Sequence, residues 1–552
     1  MVSILFSVST MLALILQGIL LCGLSLACWR VFRQYLVKTA LDNIPGPPSP
    51  SFFKGNFPQL FAAHGWEFHK DIAEKYGGVV KVKAVFGENQ LYVFDPKALH
   101  HIVVKDQYVY EETSGFIQGN LTLFGKALFS TLGEYHRRQR KMLNPVFSIA
   151  HMREMVPIFY DVTHRLRDSI STKVSNGPQE IDVVPWMART ALELIGQSGF
   201  GHSFDTLAED VTTSSYSEAI KRLGPALLQF SFIRTYLWQL ANVGTPKMRR
   251  FVVDLLPWKS LHDVRDIIDT IHNTSLEIFE SKKKALLDGD EAVERQVGQG
   301  KDILSILMRA NMDASGEDKL DESELVAQVA GLTFAAVDTT SNAISRTLHL
   351  LAQHQNIQEK LRHEIAEART KTGSLAYDEL VSLPYLDAVC RETLRLHPPV
   401  PYLSRTTRED IIMPLSKPLR GLDGEDVHEI PVPNNTNIMI SIIAANRNPE
   451  IWGSDSLQWV PERWLAPLPS SVAKAHVPGV YSHLMTFLGG GRACIGFKFS
   501  QLEMKIVLSL LIESFRFAPP NKEIYWQMTT IATPTVVGEG GKVQLPLLVS
   551  KV

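Results

Sequence analysis

Apolar residues recur every three to four positions around 134–148, 188–200, 262–285, 321–353, 355–369 and 379–396, the spacing of helices with one buried stripe. Strand-like runs are short: Val79–Val85, Gln90–Phe94, Asn437–Ile443 and Val543–Val549. The pattern predicts a mainly α body with small β-sheets. One stretch differs from the rest. Met1 to Trp29 carries no charged side chain, enough for a membrane span, which takes about 20 residues. Arg30, Arg33 and Lys38 follow at once, so the positive-inside rule puts the amino terminus in a lumen and the bulk of the chain in the cytoplasm. A cleaved signal peptide competes with this reading through Ser25 and Ala27, but no basic segment precedes the apolar run. Ile44-Pro-Gly-Pro-Pro-Ser-Pro50 cannot continue a helix and forms a stiff spacer. The expected division is a luminal tail and transmembrane anchor at 1–29, a basic and Pro-rich linker at 30–50, and one globular body at 51–552. Asp288–Lys301 and Ser416–Glu429 are expected to be exposed loops.

Composition narrows the function. A chain of 552 residues, 45% hydrophobic and 21% charged, is neither disordered nor collagen-like. Lys and Arg number 56 against 58 Asp and Glu, and a net charge of −2 provides no field for nucleic acid. Cys22, Cys28, Cys390 and Cys494 are too few and too scattered for a disulfide framework and sit at no zinc-binding spacing. There is no internal repeat, dinucleotide glycine fingerprint or phosphate loop. Asn120, Asn273 and Asn434 begin glycosylation sequons that a cytosolic topology leaves unmodified.

The chemistry gathers near the carboxyl end. Phe487-Leu-Gly-Gly-Gly-Arg-Ala-Cys494-Ile-Gly496 sets one cysteine after a glycine turn and before an apolar helical stretch. Glycines let backbone approach a flat ligand closely, and a helix N-terminus favours a thiolate suited to ligating a metal. A lone cysteine is more often a small buried hydrophobe. With Phe487, Gly490, Arg492 and Gly496 at these offsets, however, the segment resembles the haem-binding loop of the cytochrome P-450 family, haem-thiolate monooxygenases.

The resemblance implies further roles, and it covers about residues 44–552. Cys494 is then the axial ligand of haem b, with Phe487 and Gly496 in the same loop. Glu392-Thr-Leu-Arg395 places opposite charges one helical turn apart, and in the family such a pair is closed by the arginine of a Pro-Glu-Arg segment, here Arg463. That triad is structural. A long helix opened by Asp321 and Glu324 as a capping box carries Ala335-Ala-Val-Asp338-Thr339-Thr340. An acid and two hydroxyls in so apolar a stretch need hydrogen bonds. Thr339 can bond back to the carbonyl four residues earlier and open the helix locally. By resemblance Thr339 meets dioxygen and Asp338 relays protons, with Ala336 standing where the family has glycine. The haem propionates are assigned to His136, Arg140, Arg405 and Arg492; His136 replaces the family's tryptophan, so its protonation becomes a variable. Arg137, Arg138 and Lys141 form either a solvated face or a basic patch for an acidic redox partner.

No flavin or nicotinamide domain remains in the chain, so the resemblance implies an endoplasmic-reticulum membrane protein that takes electrons from NADPH–cytochrome P-450 reductase, with cytochrome b5 as a second candidate donor. The lipid bilayer is the remaining expected partner. The cosubstrates are O2 and NADPH-derived electrons. Pocket-lining segments, placed by the same resemblance, are Tyr110–Ser130, Ile220–Trp258, Ala335, Val400 and Ile531; their apolar character suits a hydrophobic small molecule. The Gly133-to-Pro145 run resembles fungal secondary-metabolism members, which points to a terpenoid or steroid-like substrate. Two other readings stand beside it: a haem-thiolate isomerase or dehydratase needing no O2, and a non-catalytic haem-binding protein.

Overall fold

The computed structural model describes residues 17–18, 21–25, 28–29, 32, 36–208, 214–230 and 243–552. The body is helical, as the periodicity predicts. Its axis is a 32-residue helix, Glu322–Gln353, opened by the predicted capping box: Asp321 N–H donates to Glu324 Oε2 at 2.9 Å. Two-thirds of this central helix is buried, from Leu325 through Ala352, because Val183–Leu194, Lys259–Asp288 and Phe497–Ser514 pack around it. Ile149–Lys173 continues the layer against Phe497–Ser514. The predicted 379–396 helix is two, Tyr377–Val381 and Pro384–Leu396. Proline at the first turn starts the second, and His397-Pro-Pro ends it.

Sheets flank this core. A five-stranded sheet runs in the order Val79–Lys83, Asn89–Val93, Asn437–Ser441, Tyr402–Thr407, Tyr110–Glu111. Arg405 sits opposite Ile438 in it, which holds its stem on a rigid element. A second sheet joins Gln179–Asp182, Pro546–Lys551 and Phe515–Ala518.

Two expectations are corrected here. Ser416–Glu429 is not a loop: Ile411–Arg420 pairs with Asp426–Val432 as a hairpin, and Pro414, Pro418 and the charged side chains hide the strand alternation. Asp288–Lys301 contains a short helix, Asp290–Glu294, before its turns. No helix among the described residues is long and apolar enough to cross a membrane, and most of the anchor expected at 1–29 lies outside the described residues.

Candidate haem-thiolate site

The loop that carries Cys494 is closed by backbone. The Cys494 N–H donates to Phe487 O at 2.9 Å, and Phe487 is buried beside Tyr481 and Phe497, with ring centroids 5.5 and 6.1 Å away. Gly490 adopts φ +67°, and a Cβ there would lie 1.7 Å from Val103 O; one on Gly489 would lie 1.9 Å from Pro478 O. These two glycines admit neighbouring protein backbone, a requirement beside the expected approach to a flat ligand. Gly496 caps the helix Phe497–Ser514, so Cys494 stands two residues ahead of the cap. Its side chain is exposed to water, yet enough protein surrounds it that burial pushes the thiol upward, against the opposing pull of the Gly496 N–H and Arg140. A deep cleft exposes a side chain without hydrating it fully. The helix terminus alone does not make a thiolate; metal ligation would.

Four predicted cationic or imidazole groups lie around this loop. Arg140 donates to Ala493 O at 2.6 Å and Arg492 to Thr131 O at 2.7 Å. Burial lowers both guanidinium pKa values, and Arg405 and Arg140 add repulsion at Arg492. His136 is held at about 3 by burial and by Arg492 and Arg140, so it is neutral near pH 7 and its protonation is not a variable there. A cleft of about 390 Å³ is lined by His136, Arg140, Lys141 and Arg492, among others. The sequence reading missed Glu112. Its carboxylate lies 3.3 Å from Arg405 and 3.2 Å from Arg492. Nothing local marks it, since both partners lie hundreds of residues away in sequence.

The neighbouring basic run divides. Arg137 pairs with Glu134 at 3.1 Å and Lys141 with Asp318 at 2.7 Å, both exposed, whereas Arg138 turns inward over Tyr135 to buried Glu324 at 3.3 Å. Arg138 therefore leaves the candidate docking patch.

The central helix presents Ala335, Asp338, Thr339 and Asn342 along one side. Thr339 Oγ1 donates to Ala335 O at 2.8 Å, as the sequence predicts, but the helix continues unbroken through it, so no local opening forms. Ala335 is exposed midway along an otherwise buried helix. Burial raises the Asp338 carboxyl to about 6, which keeps both protonation states accessible near neutral pH. Thr340 Oγ1 donates to Ser500 Oγ at 3.2 Å, tying this helix to the first turn after Cys494. The Tyr110–Ser130 segment reaches it through Phe124, whose ring lies 4.7 Å from Phe334. Val400 and Ile531 are half-buried. Their neighbours Pro399 and Ala532 are joined by a 2.8 Å backbone bond and line a small cavity with Asn342 and Arg346. Ile220–Trp258 is only partly described.

Glu392, Arg395 and Arg463 close as a unit. Arg395 Nε and Nη2 each reach Glu392 at 2.8 Å, and its remaining N–H groups go to the carbonyls of Asn446, Ser456 and Gln458. Glu392 also accepts from Val460 N–H at 3.1 Å, Arg463 Nε at 3.4 Å and Trp464 Nε1 at 3.0 Å.

The donors fit an iron porphyrin: one thiol for the metal, and guanidiniums with an imidazole for two carboxylates. Among the described residues no cluster of three His, Cys, Asp or Glu could hold a bare metal ion. A mainly helical body whose cysteine loop touches a cationic rim through Ala493 and is tied through Ser500 to a Thr-bearing central helix fits a haem-thiolate protein. Comparison agrees: residues 45–536 match the Cytochrome P-450 family model, and the chain belongs to that family. It is 53% identical to cytochrome P-450 monooxygenase 91 of Postia placenta over 98% of this chain and 99% of that one. It is 45% identical to a ganoderic acid synthetase of Ganoderma lucidum over 93% and 94%, and 39% identical to a cytochrome P-450 monooxygenase of Hericium erinaceus over 96% of each. The chain is a monooxygenase of this family.

Proposed function

We propose that the enzyme hydroxylates, or further oxidises, a terpenoid or steroid-like hydrophobic molecule, using O2 and electrons from an NADPH-dependent reductase. The observation that carries the site assignment is the convergence of Cys494, the His136, Arg140, Arg405 and Arg492 rim, and the Ala335–Thr339 side of the central helix. Bound haem b supplies oxygen activation, with thiolate donation favouring O–O scission. The chain's own residues do the rest. The arginines hold the propionates by charge-assisted bonds, Thr339 Oγ1 presents a hydroxyl at the pocket, and the Asp338 carboxyl moves protons to it. Glu392, Arg395 and Arg463 keep the wall behind the cysteine rigid. The relative named as a ganoderic acid synthetase supports the terpenoid class, as do the apolar walls at Phe124, Phe334, Val400 and Ile531.

The same reading places the protein on the endoplasmic reticulum membrane through a single anchor at 1–29, with the body cytosolic. The helix Pro246–Leu255 supports a membrane-facing surface, because it buries nothing and exposes Met248, Phe251, Val252 and Leu255. Glycans on Asn120, Asn273 or Asn434 would reverse this topology.

The decisive measurement is the reduced carbon-monoxide difference spectrum of membranes holding the chain, beside Cys494→Ala. A strongly red-shifted Soret band that disappears in the variant is expected. A folded, haem-loaded wild type without that band would defeat the assignment of Cys494. Turnover of a terpenoid panel with reductase and NADPH then tests the substrate class; turnover confined to fatty acids or small aromatics would reject it, and turnover without NADPH would favour an isomerase.

A further inference from the structure

We infer that Glu112 is the third anion of the haem-binding set: it holds Arg405 and Arg492 in register and brings the buried charges to neutrality with the two propionates, thereby setting the iron's reduction potential. This rests on the haem-thiolate reading above.

Glu112 is 7% exposed and bridges two arginines, Arg405 from the five-stranded sheet at 3.3 Å and Arg492 from the cysteine loop at 3.2 Å. Its Oε2 makes no well-aligned hydrogen bond, so the contact is mainly one of charge. The segment is anchored separately. Arg408 Nε bonds Glu111 Oε2 at 3.1 Å and Arg408 Nη2 bonds Glu112 O at 2.7 Å, leaving the Glu112 side chain free to serve the site.

The charge inventory is the core of the case. Arg140, Arg405 and Arg492 bring three positive charges, and His136 is neutral. Arg408 pairs with Glu111, which also acts on Arg492, and the cleft's Arg137 and Lys141 pair with Glu134 and Asp318, so these three pairs add no net charge. Two propionates leave one positive charge over, and Glu112 removes it. A buried charge without a counter-charge is costly, and excess positive charge beside a redox centre favours the added electron. Without Glu112 the iron is easier to reduce, so Glu112 holds the potential down.

The test is spectroelectrochemical titration of the full-length, haem-loaded protein as wild type, Glu112→Gln and Glu112→Asp. Glu112→Gln should raise the ferrous-to-ferric ratio at a fixed applied potential about tenfold, a positive shift of about 59 mV for a one-electron couple. Glu112→Asp keeps the charge and should stay within about twofold of wild type. Equal shifts in both variants, or none in either, overturn the inference, because arm length or nothing would then matter rather than charge. If Glu112→Gln loads no haem while Glu112→Asp does, charge is still shown to be the requirement; if neither loads, Glu112 is merely structural and the inference fails. A wild type without the carbon-monoxide band defeats the haem-thiolate assignment instead, so the two failures are distinguishable.

Discussion

Two buried charged clusters lie near the cysteine loop, one through Leu394 and Thr486 and one through Arg492, and they differ in how they are balanced. Around Glu392 every donor and acceptor is matched within the chain: Arg395 spends all its N–H groups on Glu392 and three carbonyls, and both residues are 0% exposed. Around Glu112 one carboxylate pairs with Arg405 and Arg492, Glu111 acts on Arg492 from farther off, and Arg405 and Arg140 repel Arg492. The first cluster is complete without a ligand. The second is short of negative charge, and that deficit marks a binding site for an anionic group. Burial and ion pairing alone do not separate structural from functional arginines; the charge balance does.

Breaking the complete cluster should have the largest effect. Glu392→Ala strands the buried Arg395 guanidinium, while Arg463 keeps Asp455, and should cost about 3–5 kcal/mol, seen as loss of holoprotein or a collapse of the urea midpoint. Arg492→Ala, in the deficient cluster, should cost much less stability, because it relieves repulsion as well as breaking a bond. It should instead lower haem content per folded protein, read as Soret absorbance against protein mass. If Arg492→Ala unfolds the chain as readily as Glu392→Ala, the distinction between the clusters fails.

Acid should test both clusters together, since each has a neutral imidazole at its edge. His397 lies beside Arg395 and Arg346, and His136 beside Arg140 and Arg492. Their folded pKa values lie below the unfolded value of about 6.5, as do those of His69 and His349, both about 4. Their contribution is therefore present above pH 6.5 and lost as pH falls toward 4, by up to about 1.4 kcal/mol per pH unit for each histidine. Urea midpoints at pH 7, 6 and 5 should fall steadily; a flat profile would mean that these rings are hydrated. A smaller effect is expected at Thr339→Val, which removes the hydroxyl but keeps the shape. Its carbon-monoxide spectrum should be unchanged, while product formed per NADPH consumed drops about tenfold, the scale of one hydrogen bond of about 1.4 kcal/mol. The smallest is Glu134→Gln, which breaks an exposed pair with Arg137 and should move stability by less than about 1 kcal/mol.

What was legible in the sequence follows the reach of its contacts. The central helix, its capping box and the Glu392–Arg395 pair are set by residues three or four apart, so periodicity and spacing were sufficient to find them. The Thr339 back-bond was legible for the same reason, although the helix did not open around it. The hairpin at 411–432 was lost because Pro414, Pro418 and its charges mask the alternation. Glu112 and the inward turn of Arg138 were illegible because their partners come from distant segments that only the folded chain brings together. The glycines beside Cys494 were legible, but Val103 and Pro478, which require two of them, come from other segments and were not.

That tight seat of Gly489 and Gly490 has a consequence for synthesis. Segment 101–105 is made long before Cys494, but a domain generally folds as a unit. The cysteine loop takes its shape against Val103 from the first quarter of the protein and Pro478 from the last. A chain cut short before residue 489 therefore keeps both walls of the seat but not the loop that fills it.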